Sequence, residues 1–401
     1  MQNHASRLVI CRVAVLLCSS VAMCQTATRD FHFGPSGKTT VALSDQSIFE
    51  ATINGKGPFK LLFDTGANVN ILNPEVIAQL GLTPGGGPAE IHGMSGGKLE
   101  VQPYRADELR IGDLTLTGQT FYNVAIPLPG TGIVGAVGYE LMSRLVVKAD
   151  NDRQQLTFYD PARFTYTGGG EKLELLPNTL GLVVRARVGK AVGDFGLDTG
   201  AIGTLGVSLN HRFAQQNHLL RHSFFFDLFH SSYHDVFSGG ADGAAPPATI
   251  ERINNLCLGT ACVHHIVGEF SDSDVSQYAG VIPNEILRRF TFTIDWQHQA
   301  IYLEKTSHWN KSDVYNQTGL ALDAVDGGRA LIVTAVYPHT AGSKARIKVG
   351  DRIVLINNRP PQPTWYYDDP AFLQPAGTVV KLTVQRGSSS HQINFKLKDM
   401  L

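Results

Sequence analysis

The heptapeptide Leu61-Leu62-Phe63-Asp64-Thr65-Gly66-Ala67 returns 134 residues later as Phe195-Gly196-Leu197-Asp198-Thr199-Gly200-Ala201. The likeness extends upstream, where Asn54-Gly55-Lys56 faces Val188-Gly189-Lys190 at the same offset. A second pair of blocks follows in the same order. Gly135-Ala136-Val137-Gly138-Tyr139-Glu140-Leu141, then Arg144 to Asp150, is matched 145 residues on by Gly280-Val281-Ile282-Pro283-Asn284-Glu285-Ile286, then Arg289 to Asp295. Two ordered blocks that recur in order mark a duplicated unit, with eleven extra residues in the second copy. Each copy has a strand-like run before its Asp-Thr-Gly, Phe49 to Ile53 and Leu182 to Val188, and closes on another, Gln155 to Tyr159 and Ala300 to Glu304.

The duplication divides the middle of the chain into β-rich lobes at 48–160 and 173–305, joined by a Gly-rich linker at 161–172. Composition agrees with turn-rich globular structure: of 401 residues 43% are hydrophobic and 17% charged, with 41 Gly and 19 Pro. Disorder, collagen and coiled coil are excluded. The net charge of -1, with no long Lys/Arg run, argues against a nucleic-acid partner.

Residues 1–24 combine a cationic start, a short apolar run from Val13 to Val21 and a small-residue exit, the pattern of a cleaved export signal. The expected location is periplasmic or secreted, with 25–47 as an N-terminal extension. A lipid anchor at Cys24 is the less favoured alternative, because Met23 stands where a small residue is expected. No later stretch is apolar enough to span a membrane. Of five cysteines only Cys257 and Cys262 remain after that signal; around a Gly turn they are candidates for a disulfide, or for two free thiols.

One carboxylate per lobe, each after an apolar strand, can meet its counterpart on a pseudo-twofold axis. Gly66 and Gly200 permit close approach there. Two carboxylates about 3 Å apart cannot both ionise and so hold one proton between them. The ionised member can take a proton from an attacking water while the other hydrogen-bonds the developing oxyanion. A single Asp-Thr-Gly is more often a simple Asx turn; the matched pair is what carries chemistry.

These residues resemble the retropepsin-like aspartic proteases, whose signature is Asp-Thr-Gly-Ala after an apolar pair, followed by a hydrophobic-Gly segment. The first copy matches at Asp64 to Ala67 and Ile133-Val134-Gly135, the second at Asp198 to Ala201 and, more weakly, Ala279-Gly280. The resemblance implies a mainly β, bilobal double β-barrel with catalytic Asp64 and Asp198 and no cofactor or metal. It implies hydroxyl cross-links between Thr65 and Thr199, and support from Gly66, Gly200, Gly135 and Gly280. Gly93, Ser95, Gly96 and Gly97, and in the second lobe Gly239 and Gly240, would belong to flaps. Ala67 and Ala201 carry no hydroxyl where pepsin-like enzymes place one, which implies a less acidic optimum. Pro283 stands where the first copy has Gly138.

Beyond a second linker at 306–316 the periodicity changes. Residues 317–401 resemble a PDZ domain, most clearly in Val349-Gly350-Asp351-Arg352-Ile353-Val354-Leu355-Ile356-Asn357. That resemblance places peptide binding, including a C-terminal carboxylate, at Gly319, Leu320, Ala321 and Leu322. The i,i+4 pairs His218/His222 and His230/His234 lack the Glu of a zinc hydrolase motif, and the Gly triplets lack a Gly-Lys-Ser/Thr ending. The expected protein is therefore an exported, monomeric aspartic endopeptidase with polypeptide substrates. The alternatives are a peptide-binding adaptor with inert lobes, and a protease whose lobes pair between chains.

Overall fold

The computed structural model describes residues 30–400, apart from 93–97, 127–131, 178–180, 202–205, 220–247, 272–277, 314 and 363–368. The expected export signal, Cys24 and all six flap candidates lie outside the described residues. The fold is mainly β.

The sequence repeat reappears as two closed barrels with the same strand order. In the first, Ile48–Ile53, Lys56–Phe63, Ile133–Val137, Ile71–Leu72, Leu114–Asn123 and Pro103–Ile111 follow one another around the wall, the last pairing back to the first. In the second the sequence is Val183–Val188, Ala191–Asp198, Gly280–Pro283, Val207–Asn210, Ala261–Ser271 and Ala248–Leu258. Even the register repeats: Leu61, Leu62 and Phe63 run parallel to Gly135, Ala136 and Val137, as Phe195, Gly196 and Leu197 do to Gly280, Val281 and Ile282. Apolar side chains on these strands share one continuous core that spans both lobes. Phe63 of the first lobe stacks on Phe292 of the second at 6.4 Å.

A six-stranded sheet joins the barrels, ordered Glu171–Glu174, Ala300–Lys305, Phe290–Asp295, Val146–Asp150, Gln155–Tyr159, Lys38–Ala42. Its central pairing sets Lys148 opposite Thr293, residues related by the 145-residue offset, so the pseudo-twofold axis passes between them. The outer strands correct the expected boundaries. Lys38–Ala42, expected in an N-terminal extension, pairs with Gln155–Tyr159, while Glu171–Glu174, expected partly in the linker, pairs with Ala300–Lys305. Both are edge strands of one symmetric sheet. Their sequences share no residue pattern, because edge pairing draws on backbone groups and only one face needs apolar side chains.

The second linker is also held. Ser307 bonds Asp152 of the first lobe through its N–H and Oγ. Trp309 packs edge-on against Phe290 at 5.0 Å. Asp313 forms a buried ion pair with Arg289 and accepts the Val267 N–H at 2.7 Å.

The C-terminal module is an antiparallel five-stranded sheet in the order Leu320–Val325, Ala330–Val336, Arg352–Ile356, Val379–Arg386, Ser389–Lys396. A separate core built on Leu331, Ile353, Phe372, Val380 and Leu382 fills it. Thr340 caps the short helix Ala341–Lys344, its Oγ1 accepting the Ser343 N–H. Asp399 ties the module to the second lobe, accepting from Arg252 at 3.1 Å and from the Tyr315 hydroxyl at 2.5 Å. No helix among the described residues is long and apolar enough to cross a membrane.

Candidate active site

Apolar strands deliver both aspartates. Leu61, Leu62 and Phe63 are buried ahead of Asp64, and Phe195 and Leu197 ahead of Asp198. Burial of those strands fixes where each chain leaves its barrel, and there the Asp-Thr-Gly turns meet.

Four hydrogen bonds lock the turns together across the axis. The Thr65 hydroxyl donates to the Leu197 carbonyl at 2.8 Å and accepts the Thr199 N–H at 3.0 Å. The Thr199 hydroxyl donates to the Phe63 carbonyl at 2.5 Å and accepts the Thr65 N–H at 3.0 Å. Both threonines are buried, so each hydroxyl satisfies two main-chain groups that would otherwise be orphaned. The expected cross-link is present in both directions.

Within each turn the geometry is again matched. Asp64 Oδ1 accepts the N–H groups of Gly66 and Ala67 at 2.9 and 3.0 Å. Asp198 Oδ1 accepts those of Gly200 and Ala201 at 2.8 and 2.9 Å. A Cβ on Gly66 would fall 2.4 Å from the Asp198 carboxyl carbon, and one on Gly200 would fall 2.3 Å from that of Asp64. Glycine is required here by the approach of the opposite carboxyl, not by backbone angle.

The two carboxyls hydrogen-bond each other. Burial, and then the charge of Asp198, hold the Asp64 carboxyl well above the usual carboxylate range. The Gly66 and Ala67 N–H donors pull the other way and do not overcome it. A cavity of about 10 Å³ lies beside Asp198, lined by Gly66, Gly181, Leu182, Leu197 and Tyr278 among others. Its size is on the scale of one water molecule.

The remaining expected residues are placed less centrally. Gly135 and Gly280 lie within the strands, paired with Leu61 and Phe195, three residues back from the aspartates. The segment directly behind Asp64 is Val137-Gly138: the Val137 carbonyl accepts the Asp64 N–H at 3.0 Å. The Gly135-to-Leu141 repeat pointed at this segment, but nothing in the sequence ranked Gly138 above Gly135. Asn70, bonded to the Gly138 N–H at 3.1 Å, was missed because a single asparagine carries no pattern. The strands Ala89–His92 and Lys98–Val101, on either side of Gly93 to Gly97, pair antiparallel as a hairpin.

Cys257 and Cys262 form a disulfide. They face each other across the Ala248–Leu258/Ala261–Ser271 hairpin, with Arg187 Nη2 3.0 Å from Cys257 Sγ. In the C-terminal module, Leu320–Val325 is an edge strand that pairs, among the described residues, only with Ala330–Val336. Gly319 has φ +69°, and a Cβ there would strike Thr340 at 2.1 Å. At the expected peptide site the Leu320 N–H donates to Thr318 Oγ1 at 3.1 Å, and the Leu320 and Leu322 side chains are buried in the module's core. Ala321 is half-buried. Among the described residues no three His, Cys, Asp or Glu side chains gather as a metal site.

Two buried carboxyls on one axis, bonded to each other and to matched N–H donors, define a site for acid–base chemistry on a bound water. Comparison with protein families matches residues 49–141 to a model of the aspartyl proteases. The matched stretch carries the Asp64 turn and the Val137-Gly138 segment behind it, and supports protease activity of the aspartic type. No curated protein matches the chain.

Proposed function

We propose that this chain is an exported aspartic endopeptidase that works as a monomer, with Asp64 and Asp198 as its catalytic pair. The observation that carries the reading is the convergence of two Asp-Thr-Gly turns from one chain, cross-bonded through Thr65 and Thr199. Asp64, its carboxyl pushed up by burial and by Asp198, holds the shared proton. It hydrogen-bonds the carbonyl oxygen of the scissile peptide as negative charge develops there. Asp198 takes a proton from the water that attacks the carbonyl carbon. The proton then passes to the leaving nitrogen, the C–N bond breaks, and the pair returns to its singly protonated state. No covalent intermediate forms.

The C-terminal module is proposed as a PDZ domain that binds peptide by addition to the free edge of Leu320–Val325. Such pairing uses main-chain groups lying in the plane of the sheet, so it is compatible with Leu320 and Leu322 side chains committed to the core. Whole-chain protein is tested on unfolded polypeptides beside Asp64→Asn and Asp198→Asn. Each substitution is expected to lower kcat by at least about 100-fold, the scale of a lost general acid or base. Cleavage by either variant at the wild-type rate overturns the reading.

A further inference from the structure

Asn70 lies six residues past Asp64 with none of its surface exposed. Its Oδ1 accepts the Gly138 N–H at 3.1 Å, and its Nδ2 donates to the Thr120 carbonyl at 3.2 Å. The main chain is used as fully: the Asn70 carbonyl accepts the Tyr122 N–H at 2.9 Å, and its N–H donates to the Glu140 carboxylate. One buried residue thus connects the Asp64 turn, the strand Leu114–Asn123 and the segment behind the aspartate.

The Gly138 N–H belongs to the same peptide unit as the Val137 carbonyl, which accepts the Asp64 N–H at 3.0 Å. A peptide unit is planar and stiff. Asn70 therefore holds one edge of a plane whose other edge holds Asp64. There is no slack around it, because a Cβ on Gly138 would lie 2.4 Å from the Ala67 carbonyl oxygen and 2.6 Å from that of Val69. The second lobe is built otherwise. Its corresponding unit joins Ile282 to Pro283, runs parallel to Leu197 and Asp198, and has no N–H to offer an acceptor.

We propose that Asn70 is a positioning residue that sets Asp64 through the Val137–Gly138 peptide, a lock confined to the first lobe. Its catalytic consequence rests on the aspartic-protease reading; its structural consequence does not.

The test measures amide hydrogen exchange at Asp64 and Gly138, together with hydrolysis, on whole-chain wild type, Asn70→Leu and Asn70→Asp. Asn70→Leu keeps the volume and removes both polar contacts, whereas Asn70→Asp keeps an oxygen facing Gly138. Asn70→Leu is expected to speed exchange at both amides about tenfold or more, the mark of local opening. It should lower kcat about 10- to 100-fold, as misplacement of a reacting group does, with KM changed by less than about twofold. Asn70→Asp should restore most of kcat. Unchanged Asp64 exchange in folded Asn70→Leu overturns the proposal, as does faster exchange with kcat intact. Should Asn70→Leu not fold, Asn70→Ser replaces it: its shorter side chain must still loosen the Asp64 amide, and unaltered protection overturns the proposal. If wild type itself cleaves nothing, the protease reading fails alone, and exchange at Asp64 still decides the positioning role.

Discussion

In the first lobe the peptide behind the aspartate is Val137–Gly138, pinned by Asn70; in the second it is Ile282–Pro283, which has no N–H to pin. Just beyond, the repeat aligns Arg144 with Arg289, yet their partners differ. Arg144 pairs with Asp30, ahead of the first barrel, with side chains 29% and 36% exposed. Arg289 pairs with Asp313, in the strap after the second barrel, at 5% and 6%. Set beside these, Thr65 and Thr199, and Gly66 and Gly200, are interchangeable. Positions whose partners lie across the axis have stayed matched, because each lobe makes the same demand on the other. The peptide behind each aspartate and the partners of Arg144 and Arg289 answer to no such demand, and they differ between the lobes.

The arginines offer the largest expected break in the symmetry. Arg289→Met strands a buried carboxylate on the single Val267 N–H, and should cost about 3–5 kcal/mol in urea unfolding. Arg144→Met, at a half-exposed pair, should cost at most about 1 kcal/mol. Equal losses would mean that the strap at 306–316 is not the anchor described above.

The glycines should behave in the opposite, symmetric way. Gly66→Ala and Gly200→Ala each drive a methyl into the opposite carboxyl, and each should lower kcat by about 100-fold, the scale of a 1 Å misplacement at a reacting centre. A hundredfold loss in one and none in the other would show that the turns do not share one site.

Much of this was legible in the sequence, and what was not has physical causes. The duplicated Asp-Thr-Gly blocks marked two lobes and the paired carboxyls, since steric demands there admit few residue types, and the family resemblance they carry implied the barrels and the threonine cross-link. The strands Lys38–Ala42 and Glu171–Glu174 escaped notice because edge pairing uses backbone groups common to all residues. Asn70 escaped because its importance comes from a contact 68 residues away in the chain. The tethering of 306–316 escaped likewise: Asp313 looks like any loop aspartate until Arg289 is seen beside it.

The smallest expected effect is on stability against pH. The native Asp64 carboxyl titrates above its ordinary value near 3.8. Its contribution is therefore full below that value and is lost as pH rises through the native one. Asp150 and Asp351, held low by Arg153 and Arg386 against burial that pushes them up, act with the opposite sign, so the comparison is between wild type and Asp64→Asn. Wild-type stability should fall relative to that of Asp64→Asn as pH rises through the native value, the neutral amide standing in for the protonated carboxyl; parallel curves would remove Asp64 from the balance.

That the two turns act as one carboxyl pair is tested most directly by carboxyl-carbon NMR titration of Asp64, in wild type and in Asp198→Asn. The pair predicts an Asp64 titration well above the ordinary carboxylate range in wild type, moving down when Asp198 loses its charge. An Asp64 that titrates at the same ordinary value in both proteins would contradict it.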